Sequence, residues 1–103
     1  MEERMADSNV LLVARFRAKE GKEEEVGDIL VSLVEPTRAE EGCVFYYLHQ
    51  VKDEKGHYLF YECFRSEEAF KIHAEAPYIR GFLDRTDELL AEPPDITFLE
   101  KIQ

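Results

Sequence analysis

Two segments rich in aromatic residues, CVFYYLHQV (43–51) and HYLFYECFR (57–65), are separated only by KDEKG (52–56). Aromatic and β-branched side chains favour extended backbone, and a short polar loop ending in glycine joins antiparallel neighbours, so the pattern predicts a β-hairpin. Both alternating sets of side chains are largely apolar in each strand. A sheet built on them has no polar face to offer water and must be covered on both sides.

With the turn centred on Glu54 and Lys55, Tyr47 lies opposite Glu62 and Phe45 opposite Phe64. Phe45, Tyr47, His49, Phe60, Glu62 and Phe64 then share one face. Val44, Tyr46, Leu48, Leu59, Tyr61 and Cys63 share the other.

Residues 10–18 begin as a continuous apolar run, which suits a central strand, and Gly21 ends it. From residue 22 to about 38, Val26, Ile29, Leu30, Leu33 and Val34 fall at the spacing of an amphipathic helix. Glu23, Glu24 and Glu25 suit the positive end of its dipole, while Pro36 disturbs its last turn. Ser66 can cap a second helix that carries Ala69, Ile72, His73 and Ala76 on one stripe. Pro77 starts a further helix with Ile79, Phe82, Leu83, Thr86 and Leu90 on its apolar face. After Pro93 and Pro94, residues 96–102 alternate as a last strand.

The resulting order, β-α-β-β-α-β with the second helical segment divided, is the ferredoxin-like split βαβ arrangement. It is an α+β fold, a four-stranded antiparallel sheet with helices on one face. At 103 residues the chain makes one domain, over residues 9–103, with residues 1–8 as a flexible N-terminal tail. The helices cover one apolar face of the sheet. Leaving the second bare would exceed the roughly few hundred Å² of apolar patch that soluble monomers expose, so the expectation is a homodimer with sheets packed face to face.

Thirteen basic residues against 23 acidic ones give a net charge of −10, which repels nucleic-acid backbones and anionic lipid surfaces. The acidic clusters Glu23–Glu25, Glu40–Glu41 and Glu67–Glu68 read as solvated helix ends. Two cysteines, Cys43 and Cys63, form neither a C-x-x-C motif nor a zinc site and read as small buried residues in a reducing, cytoplasmic setting. No apolar run approaches a membrane span. The three histidines form no HxxxH or HxH pair, so no metal is expected. No glycine-rich loop or Ser-His-Asp order points to phosphate binding or acyl transfer.

Between about residues 10 and 102 the chain resembles the antibiotic biosynthesis monooxygenase superfamily of dimeric α+β barrels. The resemblance rests on KEGKEEEV (19–26), TRAEEGCVFYYLHQ (37–50), YECFRSEEAFKIHAEAPY (61–78) and the closing strand. It implies a cofactor-independent monooxygenase acting on a small aromatic or quinol-like substrate and O2, in a cleft between sheet and helices. The superfamily also includes an isomerase of a phosphorylated autoinducer sugar and heme-degrading enzymes. Heme degradation is disfavoured, because Phe64 stands where that branch has Trp, Ala14 stands where it has Asn, and His73 falls earlier in its helix than the heme ligand. The spacing of Glu62 and His73 is similar to that in both the quinol monooxygenases and the isomerase.

His73, on the helix stripe facing the sheet, is a candidate general base. Glu62, between Phe60 and Phe64, is costly to bury as a free charge; it must be protonated or paired, and His73 is the candidate partner. Tyr47, Phe64, Phe45 and His49 are candidate substrate-binding residues, although strand aromatics also serve as core and His49 and His57 lie near the turn, where exposure is expected. Arg38 is expected to form an ion pair with Glu40 or a neighbour. Three functions remain open: a monooxygenase, an isomerase using the same acid-base pair without oxygen, and a non-catalytic binding dimer.

Overall fold

The apolar run near the start of the domain forms β1 (Val10–Arg17), which lies inside the sheet between two antiparallel neighbours. The structure, a computed structural model, describes residues 9–103, so the tail expected over residues 1–8 lies outside the described residues. After β1 come α1 (Glu23–Ser32), α2 (Val34–Arg38), β2 (Cys43–Gln50), β3 (His57–Phe64), α3 (Glu67–Glu75), α4 (Pro77–Leu83), α5 (Thr86–Leu89) and β4 (Asp95–Leu99). The strands lie in the order β2-β3-β1-β4 in one antiparallel sheet, the ferredoxin-like α+β arrangement. No helix among the described residues is long and apolar enough to cross a membrane.

The first helical segment is two helices where the periodicity predicts one. A continuous helix would need an N–H at Pro36 to donate to the Ser32 carbonyl, and proline has none. The chain instead restarts at Val34, which places Pro36 in the first turn of α2. The segment after Pro77 is likewise divided, and β4 begins one residue before the expected position and ends at Leu99.

On the helix-covered face, Leu12, Ala14, Phe16, Tyr46, Phe60 and Phe64 meet Val26, Leu30, Leu33, Ile79, Phe82 and Leu89 from the helices. Phe16 packs edge-on to Phe60 and Phe82, at centroid separations of 6.2 and 5.3 Å. Each such side chain removed from water contributes about 1.5–3 kcal/mol, which is what holds the helices to the sheet.

The hairpin register differs by one residue from the sequence-based expectation. Tyr46 pairs with Glu62, Tyr47 with Tyr61, and Phe45 with Cys63. The cause is local. Val51 and His57 close the ladder around a five-residue loop centred on Glu54, with Asp53 at φ 65° and Gly56 at φ 83° absorbing the reversal. A bulge at Val44 then shifts Cys43 to pair with Phe64. Consequently Tyr47, Phe45 and His49 lie on the face away from the helices, and only Phe64 of the four expected substrate-binding residues shares a face with Glu62.

That second face carries Leu11, Val13, Phe45, Tyr47, Leu59, Tyr61 and Leu99. Phe45 stacks on Tyr47 at 5.4 Å and leans on Tyr61 at 4.9 Å. Tyr47 and Tyr61 remain exposed, so an aromatic surface faces outward.

Candidate active site

β3 alternates its side chains across the sheet, and this alternation sends Glu62 to the helix side between Phe60 and Phe64, with Leu12 of β1 and Tyr46 of β2 as cross-strand neighbours. Glu62 is 3% exposed. Burial, and secondarily the negative charge of Glu40, push its carboxyl up to about 8, so it is predominantly neutral at pH 7.

α3 supplies the histidine. Ser66 caps its first turn by accepting a hydrogen bond from the Ala69 N–H at 3.1 Å. Two turns later His73 points to the sheet and is 5% exposed. Its ring packs against Phe64 at 4.6 Å and edge-on to Tyr46 at 5.4 Å. Ile72, expected on the same stripe, faces solvent, and Phe70 takes the inward place and meets Phe64 and Phe98.

Between the two lies a short chain of polar atoms. His73 Nε2 is 3.8 Å from Glu62 Oε1, too far for a direct hydrogen bond but close enough for one oxygen atom to lie within reach of both. His73 Nδ1 is 3.1 Å from Glu40 Oε2, which assigns the ring hydrogen to Nδ1 and leaves the Nε2 lone pair turned to Glu62. Burial lowers the proton affinity of His73, and the bond to Glu40 partly offsets this.

Glu40 is the residue that the sequence concealed. It sits in the connection after α2, within an acidic pair that reads as solvated surface. Gly42, two residues on, allows the close approach that brings it in: a Cβ there would collide with the Ala69 methyl group, so only glycine lets this connection lie against α3. Glu40 also accepts from the Tyr78 hydroxyl of α4. Burial, followed by that bond, pushes the Tyr78 phenol up to about 12, so it donates throughout the physiological range. Tyr46, buried beside Glu62, is likewise shifted upward by desolvation. The Thr37 hydroxyl is buried and has no hydrogen-bond partner among the described residues.

Arg38 does not pair with Glu40. Its Nε and Nη2 donate to the Tyr46 carbonyl at 3.1 and 2.9 Å, and the guanidinium lies over the Tyr47 ring. His57, expected to be exposed, is buried and bonds to Glu54 at 2.9 Å. Among the described residues, no group of three or more His, Cys, Asp or Glu is arranged to hold a metal ion. A groove of about 380 Å³, lined by Glu40, Gly42, Arg65, Ser66, Ala69 and Ile72 among others, reaches Glu40 from the α3 side, while His73 and Glu62 lie behind it, outside its lining.

The family model described as antibiotic biosynthesis monooxygenase matches residues 9–85. The chain is 34% identical over 91 residues to the Bacillus subtilis protein named "Putative monooxygenase YcnE", covering 88% of this chain and 96% of that protein. An uncharacterized Synechocystis protein, sll1783, is 31% identical over 91 residues, and the match spans 88% of this chain but only 62% of that longer protein. The solved structure of Rv0793 from Mycobacterium tuberculosis superposes with a TM-score of 0.87 at 30% identity, covering 93% of this chain and 97% of that one.

Proposed function

Because the chain belongs to the antibiotic biosynthesis monooxygenase family, we propose that it is a cofactor-independent monooxygenase of an uncharged phenolic or quinol small molecule, with His73 as the base that takes the ring hydroxyl proton. The observation that carries this reading is the placement of the pair, both buried and 3.8 Å apart. A neutral imidazole presents Nε2 beside a carboxyl that burial keeps protonated, both against the Phe64 and Tyr46 rings. A hydroxyl oxygen placed between them can give its proton to His73 and accept a hydrogen bond from Glu62, so the phenolate forms next to a donor.

The chemistry balances without a further reductant. The phenol loses two hydrogens and gains one oxygen, and the second oxygen of O2 leaves as water. The protein's tasks are deprotonation, orientation and exclusion of water.

Charge separates this reading from an isomerase of a phosphorylated sugar. Among the described residues, the salt bridges of Glu40 and Glu62 run to His73 and none to a lysine or arginine. Arg65, which lines the outer groove, is exposed. A phosphate brought to Glu40 and Glu62 would meet carboxyl groups where it needs cations.

The aromatic outer face supports a homodimer as the working unit, with Tyr47 and Phe45 buried between subunits and not against substrate. The decisive experiment is oxygen uptake with a panel of hydroquinones, followed by ¹⁸O incorporation into product. His73→Ala is expected to lower turnover by about 100-fold or more, the scale of general-base catalysis. Turnover that is unchanged in that variant, or that proceeds without oxygen, would overturn the assignment.

A further inference from the structure

His73 is buried against the Phe64 and Tyr46 rings, and its Nε2 faces Glu62, so in the unliganded chain a proton accepted there has no direct route to the surface. Its other nitrogen, however, is bonded to Glu40 Oε2, and the Glu40 side chain is 14% exposed and lines the groove between the α2–β2 connection and α3. Three groups therefore stand in sequence from interior to surface: Glu62 Oε1, the two ring nitrogens 3.8 and 3.1 Å from their respective carboxyls, and Glu40.

We propose that Glu40 is a positioning residue that also relays protons, carrying them between His73 and solvent through the groove above α3. This rests on His73 being the base of the proposed reaction. The step moves protons only. The substrate O–H, or Glu62 by way of one oxygen atom lying between them, gives its proton to Nε2; the Nδ1–H bond breaks and its proton passes to Glu40 Oε2; Glu40 releases a proton to water in the groove. Run in reverse, the same path returns a proton toward the oxygen that leaves as water, so the cluster ends as it began.

The other titratable groups facing this path are Tyr78 from α4, Tyr46 and Cys43 from β2, and Glu62 from β3. Cys43 is pushed up to about 11 and Tyr78 to about 12, so neither ionises in competition near neutrality. Tyr78 donates to the same oxygen that faces His73, which holds the carboxylate in place; the second oxygen is buried and without a protein partner among the described residues, so the exchange with the groove is assigned to Oε2. The acidic pair that looks like ordinary surface thus has one member committed to the interior.

Glu40→Gln tests the idea, because glutamine can accept the Nδ1–H bond but cannot take the proton. The readout is exchange of the His73 ring N–H with solvent, followed by ¹⁵N NMR on the full-length ¹⁵N-labelled chain without substrate. Exchange is expected to slow at least tenfold in Glu40→Gln and to stay within about threefold of the unaltered rate in Glu40→Asp. An unchanged or faster rate in Glu40→Gln would overturn the proposal. Should that variant fail to fold, the unaltered chain still decides: exchange insensitive to added formate supports an internal carboxylate relay, and acceleration by formate refutes it. Because exchange needs no turnover, a relay that works in a chain inactive on every quinol would sink the oxygenase reading alone. Turnover with unaltered exchange in Glu40→Gln would sink only the relay.

Discussion

His73 Nδ1 is held 3.1 Å from Oε2 of Glu40, a residue 33 positions away in the chain. This bond favours one tautomer and one orientation of the imidazole, the pre-organisation that the proposed general base requires. Together with the bond from the Tyr78 hydroxyl to the same oxygen, it joins three parts of the fold, since Glu40 lies after α2, His73 on α3 and Tyr78 on α4.

Stability should fall with pH in a window set by Glu62. Its carboxyl titrates near 8 in the folded chain against 4.5 ordinarily, so below 4.5 the preference is fully present, and it is lost as pH rises toward 8. His73, lowered from 6.5, acts oppositely, its contribution being present above 6.5 and lost as pH falls through the lowered value. Between about pH 6.5 and 8 the Glu62 slope therefore stands alone. Urea unfolding across that interval is expected to show a loss on the order of 1–3 kcal/mol, and Glu62→Gln to flatten it.

The two neighbouring tyrosines of β2 should separate cleanly. Tyr46 stacks on Phe60 at 4.3 Å in the interior, beside Glu62, whereas Tyr47 lies on the outer face. With a hydroquinone substrate, Tyr46→Phe, which removes a buried hydroxyl beside Glu62, is expected to lower kcat/KM by about tenfold, the loss expected if that hydroxyl bonds the substrate oxygen. Tyr47→Phe is expected to leave kcat/KM within about twofold.

How much of this was legible in the sequence depends on the distance over which each signal acts. Helical spacing and strand alternation are local, and they suffice to turn His73 of α3 and Glu62 of β3 toward each other. The register of β2 is not local. It depends on how many residues the loop after Val51 holds and on the bulge at Val44, and a single position exchanges Tyr46 for Tyr47. Glu40 was hidden for another reason: its neighbours Ala39 and Glu41 are exposed, and its partners lie on α3 and α4, so charge patterning alone describes the connection correctly and its one inward side chain wrongly.

The outward aromatic face should be an interface between two copies of the chain. Phe45, Tyr47 and Tyr61 form one aromatic cluster there, flanked by Leu11, Val13 and Leu59. Tyr61 lies on an interior strand and is 37% exposed. Tyr61→Glu places a charge where the second sheet would pack, and is expected to convert a dimer into a monomer in analytical ultracentrifugation at micromolar concentration. A parent chain that sediments as a monomer would refute the interface.

Gly42 should control the geometry of the polar cluster without touching it. A Cβ added there meets both the methyl group and, at 3.4 Å, the Cα of Ala69, so α3 must move outward. Overpacking of this kind costs about 1–3 kcal/mol. The displacement also pulls His73 from Glu40, because the two are held by the same contact between the connection and the helix. Gly42→Ala is therefore expected to lower thermal stability and to shift the His73 ring nitrogen resonances toward a mixture of tautomers. Ala69→Gly on that background removes the opposing methyl group. It should restore the ring resonances while recovering only part of the stability, since glycine within a helix costs about 1 kcal/mol relative to alanine. Recovery of stability without recovery of the resonances would mean that Glu40 and His73 are held together by something other than this close packing.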